Sequence, residues 1–88
     1  MPPRRAVRIH TESIALGALL KWAGVVGTGG EAKAMIAARR VAVNGQVETR
    51  RGRRLRDGDL VAVAGGPTLV VTRAQDVPPP QALPQGVS

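Results

Sequence analysis

Guanidinium groups dominate the chemistry available to this chain. Seven of its thirteen lysines and arginines, Arg39, Arg40, Arg50, Arg51, Arg53, Arg54 and Arg56, fall in one window whose single acid is Glu48. Eleven of the thirteen are arginine, whose planar fork grips phosphate bidentately where lysine acts as a point charge. Gly52, inside Arg50-Arg51-Gly52-Arg53-Arg54, permits tight backbone curvature that would fan these side chains around a phosphate ridge. The ordinary alternative is a solvated basic loop, because charge runs commonly are that. The whole chain weighs against it: thirteen cations against six acids give +7 and a sequence pI near 11.8. Such an excess favours polyanions, with nucleic acid first, an anionic membrane surface second and an acidic protein third.

Other candidates are weaker. Gly29 and Gly30 open a helix where backbone amides and the dipole would welcome a phosphate, but Glu31 takes that place and a structural turn is the better reading. Asn44 could touch RNA, although its place in a tight turn accounts for it. Trp22, the only aromatic ring among Phe, Tyr and Trp, borders an apolar stripe and reads as core rather than as a stacking platform. Modules that read single strands by stacking need several exposed rings, so recognition by shape and phosphate is expected here. Catalysis is not expected, by subtraction: His10 is the sole histidine, cysteine is absent, and the carboxylates form no metal-ligand or acid–base pattern. Asp57 and Asp59 flank a turn glycine. No catalytic residue, cofactor, metal or small-molecule substrate is expected.

The elements that must position the cations follow from periodicity. Val7-Arg8-Ile9-His10 alternates as a short strand does. Thr11 or Ser13 would cap a first helix over about 12–23, with Leu16, Leu19, Leu20 and Ala23 as its apolar stripe and Gly24 at its end. Thr28-Gly29-Gly30-Glu31 is a capping-box pattern opening a second helix, which turns Ala32, Met35 and Ile36 inward. Lys33, Ala37 and Arg40 then share its outer face, the two cations roughly 10 Å apart. Val41-Ala42-Val43, Asn44-Gly45 and Gln46-Val47-Glu48 make a strong hairpin signal. The loop 49–56 follows, then strands at Leu60-Val61-Ala62-Val63 and Thr68-Leu69-Val70-Val71, each announced by a glycine turn.

These readings predict an α+β domain over 6–73, two packed helices against a small antiparallel sheet. A flexible basic N-terminus at 1–5 and a disordered Pro-rich tail at 74–88 would flank it. No apolar run approaches the ~18–20 residues that cross a bilayer. Met1-Pro2-Pro3-Arg4-Arg5 lacks the apolar stretch of a secretory signal, so a cytoplasmic monomer is expected.

Residues 11–63 resemble the S-four RNA-binding domain, also called the alpha-L motif. Leu16 and Leu20 match its first helix, Glu31-Ala32-Lys33 with Ile36 its second, Val41 with Val43-Asn44-Gly45 its hairpin, and Gly58-Asp59 with Val61 its last turn and strand. The run from Thr28 to Lys33, Asn44-Gly45 and Arg50-Arg51-Gly52-Arg53 are most similar to the small stand-alone bacterial members, the YbcJ-like group. Ala15 and Gly17 stand where the wider family often carries an arginine and an aspartate, which shifts the expected contacts to helix 2 and the arginine loop. Arg40 replaces the glycine usual before the hairpin.

The resemblance implies the alpha-L fold and binding of ribosomal or transfer RNA. The expected RNA-binding face is Lys33, Arg39, Arg40, Asn44, Arg50, Arg51, Arg53 and Arg54. The competing expectation is a nonspecific polyanion binder that contacts DNA, an anionic membrane surface or an acidic protein.

Overall fold

The computed structural model describes residues 4–73; the tail expected over 74–88 and residues 1–3 of the expected arm lie outside them. In chain order the elements are β1 (Arg4–Ile9), β2 (Ile14–Ala15), α1 (Leu16–Trp22), α2 (Gly29–Ala37), β3 (Val41–Val43), β4 (Gln46–Val47), β5 (Arg54–Leu55), β6 (Leu60–Val63) and β7 (Thr68–Arg73). Five strands form one sheet in the order β1-β7-β6-β3-β4, and β2 pairs with β5 in a separate ribbon.

The expectation of an antiparallel sheet is overturned, because the main sheet is mixed. β7 runs antiparallel to β6, as the Gly65-Gly66 turn announces, and β6 runs antiparallel to β3. β1, however, lies parallel to β7 from Arg4 opposite Thr68 to Ile9 opposite Arg73. Turn signals specify antiparallel neighbours, whereas a parallel pair requires a long crossover. Here that crossover is nearly the whole domain, so no local signal carries its direction. The pairing also draws Arg4 and Arg5 into β1, ahead of the alternation at Val7.

The first helix is shorter than its apolar stripe suggests. Ile14 and Ala15 pair instead with Leu55 and Arg54, and α1 starts at Leu16 behind Ala15, which offers no side-chain cap. The backbone of the arginine loop does that work: Leu16 N–H donates to the Arg53 carbonyl at 2.8 Å, and Gly17 N–H to the Arg51 carbonyl at 3.0 Å. These bonds satisfy two of the donors that every helix start leaves open. Thr11 donates its hydroxyl to the Ser13 carbonyl and caps nothing.

The second helix begins as its sequence predicts. Thr28 Oγ1 accepts from Glu31 N–H at 3.1 Å, while Glu31 Oε1 accepts from Thr28 N–H at 3.0 Å and from Gly27 N–H at 2.8 Å. At its other end Arg39 N–H donates to the Ile36 carbonyl and Arg40 N–H to that of Met35. This is the Schellman pattern, with Arg39 at φ 62° where glycine is usual. The hairpin turns on Asn44 and Gly45 at φ 50° and 88°, the left-handed pair of a type I′ turn.

One core joins all of this. Leu16, Leu19 and Leu20 of α1 and Ala32 and Ile36 of α2 pack on Val41, Val43, Val61, Val63, Leu69 and Val71, with Val7, Ile9, Val26 and Leu55. The period-2 alternation of β3, β6 and β7 aims the valines at the helices. Trp22, expected in this core, is instead 58% exposed; the three leucines of α1 already fill the face that meets the sheet.

Candidate nucleic-acid interface

The arginine loop is an ordered structure organised around one carboxylate. Glu48 lies just beyond β4 with its side chain only 9% exposed. It accepts from Arg50 N–H at 2.9 Å, from Arg50 Nε at 3.1 Å and from Arg53 Nη1 at 2.9 Å. The side-chain bond from Arg50 leads, with its backbone N–H and Arg53 next, in holding the Glu48 pKa down to about 2 from an ordinary 4.5. The same pairing raises the Arg50 pKa. Arg50 still keeps 76% of its side chain in solvent and Arg53 37%, so each retains donors free to face outward.

Arg51 is placed by contact rather than by charge. Its backbone caps α1, and its stem lies across Gly17: a β-carbon at Gly17 would stand 2.5 Å from Arg51 Cγ and 3.1 Å from Cδ. Only glycine lets the loop settle so closely on the helix. The result is an open groove lined by Ala15, Gly17, Ala18 and Lys21 on the α1 side, Gly29 and Ala32 on the α2 side, and Arg51 with Gly52 on the loop side. Small residues on both helices leave room for a bulky ligand, and Arg51 and Lys21 put positive charge on its rim.

The other expected residues are spread more widely. Lys33 is exposed on α2. That helix ends at Ala37, so Arg40 stands beyond it and helical spacing does not set its separation from Lys33. Arg39 and Arg40 line a different hollow, on the sheet beside Ala42, Val47 and Ala62. Arg54 is exposed in β5 opposite Ala15. Asn44 has both ends of its amide engaged, Nδ2 donating to Asp59 Oδ1 at 3.1 Å and Oδ1 accepting from Leu60 N–H at 2.9 Å. Asp59 Oδ2 also accepts from Arg56 N–H within the turn, and Asp57 Oδ1 from Arg73 N–H at the end of β7, so both carboxylates are spent on structure. Among the described residues no group of three histidines, cysteines or acids converges as a metal site would require.

Gly17 and Lys21 were not among the expected site residues. Their spacing of four on a helix puts them on one face, a signal present in the sequence but mute until Arg51 is known to lie there.

The site is an ordered, arginine-lined loop seated on α1 in a small two-helix, mixed-sheet domain. The family model for the S4 domain matches residues 7–72, and the chain belongs to the S4 domain family. It is also similar to the probable ribosome maturation protein RlbA of Bacillus subtilis (strain 168), with 44% identity over 59 residues, covering 67% of this chain and 83% of that protein. No helix among the described residues is long and apolar enough to cross a membrane.

Proposed function

We propose that this protein is a non-catalytic, cytoplasmic RNA-binding module acting on structured ribosomal RNA, with transfer RNA as the second candidate. The observation that carries the reading is the docking of Arg51 on Gly17. A merely solvated basic loop has no need of a glycine seat, two backbone caps and a buried carboxylate clamp. Holding the cations in fixed positions reduces the conformational entropy lost when phosphates bind. Arg50, Arg51, Arg53 and Arg54 supply the loop side of the face and Lys33 the helix side. Arg39 and Arg40 extend it past the Schellman turn, and Asn44 holds the hairpin beside them. Similarity to a protein named for ribosome maturation favours ribosomal RNA.

The test is competition. A folded ribosomal RNA fragment should displace the protein from labelled RNA far better than anionic vesicles or polyglutamate at equal charge. Equal displacement by all three would replace this reading with that of a nonspecific polycation. Crosslinking in cells, followed by sequencing of the attached RNA, separates ribosomal from transfer RNA.

A further inference from the structure

Trp22 has an unusual setting for the chain's one large aromatic ring. It is 58% exposed, yet its position is defined on two sides. Its Nε1 donates to the Arg8 carbonyl at 2.8 Å, on the edge strand β1, whose other edge is paired with β7. The imidazole of His10 stands edge-on to it, with ring centroids 6.2 Å apart and planes at 88°. Ile9, His10, Thr11 and Ile14 complete an apolar hollow beside the indole. A tethered ring with open surface is prepared to receive another flat group at little entropic cost.

The surroundings specify what that group is. Lys21 faces the arginine-loop groove, and Arg8 alternates to the face of β1 away from buried Val7 and Ile9, so the cation that bears on the ring is Arg5. A guanidinium nitrogen of Arg5 donates to the Ala23 carbonyl at 2.5 Å, which places it next to the end of the helix that carries the ring. Among the described residues Arg5 is in no ion pair; the two ion pairs found there both belong to Glu48. An open aromatic face with a cation anchored at the end of its helix is an arrangement that accepts a base beside its phosphate.

We infer that Trp22 stacks one unpaired nucleobase of the bound RNA while Arg5 holds an adjoining phosphate. This rests on the RNA-binding reading above and adds to it a contact with a base, made on the β1 side of α1 and separate from the arginine loop. The energy of such a contact is sequence-tolerant, because every base offers a π-face. The site therefore distinguishes unpaired from paired nucleotides rather than one base from another.

The sole tryptophan is its own reporter. The full chain would be titrated with a blunt RNA duplex, with the same duplex carrying a short adenosine overhang, and with a third in which the overhang sugars lack bases. Quenching of indole emission is expected only with the adenosine overhang, together with affinity about 5- to 100-fold above that for the abasic RNA, the range that base–aromatic stacking supplies. Trp22→Ala should abolish this preference and Trp22→Phe should keep most of it. Equal affinity for the adenosine and abasic overhangs, or a preference that persists in Trp22→Ala, overturns the inference while leaving RNA binding intact. Failure to bind any of the three RNAs overturns the RNA-binding reading as well. Should Trp22→Ala not fold by circular dichroism, the comparison of adenosine with abasic RNA on the unaltered protein still decides.

Discussion

The stem of Arg51 occupies the space that a side chain at Gly17 would need, with Cγ 2.5 Å from the position of the missing β-carbon. Because Arg51 also accepts the Gly17 N–H through its carbonyl, the loop and the helix meet at both backbone and side chain. A methyl group there cannot be absorbed by swinging the guanidinium aside, for the clash falls near the root of the side chain.

The two positions should therefore be energetically coupled. Gly17→Ala ought to weaken RNA binding about as much as Arg51→Ala does. Once Arg51 is truncated, adding Ala at position 17 should cost nothing further and recover helix propensity, up to about 1 kcal/mol. A double-mutant cycle on urea midpoints should give an interaction energy of at least about 0.5 kcal/mol. Strict additivity in both stability and affinity would show that the seat is unimportant.

Glu48 should make the fold sensitive to acid. Its folded pKa of about 2 lies below the ordinary 4.5, so between these values the unfolded chain binds more protons than the folded one. The contribution is complete above about pH 4.5 and is lost as pH falls toward 2. Glu48→Gln should flatten the stability profile in that window and leave its shape unchanged between pH 5 and 8. Thermal melts across the two ranges measure this, and identical acid slopes in the two proteins would remove Glu48 from the account.

Arg39 adopts φ 62° at the end of α2, a conformation that costs an L-residue free energy and glycine almost none. Arg39→Gly is expected to stabilise the domain by up to about 1 kcal/mol while lowering RNA affinity through the lost cation. Destabilisation on this substitution would mean that the arginine side chain makes packing contacts worth more than the backbone strain.

Salt dependence counts the phosphates. A face that neutralises on the order of four to six of them gives a slope of log K against log salt of about −4 to −5, taking the duplex-DNA coefficient as a guide. Replacing Lys33 and Arg40 together should flatten it by about two units. Stability should change by no more than about 0.5 kcal/mol for each, since both are exposed. An unchanged slope would remove these two from the contact surface and leave the groove beside Arg51 as the seat of binding.

Much of this protein was already legible along the chain, wherever a feature depends on residues within a turn or two of one another. The Thr28–Glu31 box, the Asn44-Gly45 hairpin, the valines aimed inward from β3 and β6, and the S4 resemblance belong to that group. So does the net charge of +7, which needs only a sum over the sequence. Tertiary structure alone decided the parallel pairing of β1 with β7, the shortening of α1 by the β2–β5 ribbon, the exposure of Trp22, and the seating of Arg51 on Gly17. Each joins segments brought together only by the path of the whole chain, and each wins against a local preference because distant partners offer more. Leu55 buries fully beside Ile14, loop carbonyls satisfy the first amides of α1, and the leucines of α1 close the core before Trp22 can enter it. Periodicity records what a segment can become; which of those possibilities is adopted depends on the contacts that burial makes available once the chain has folded back on itself.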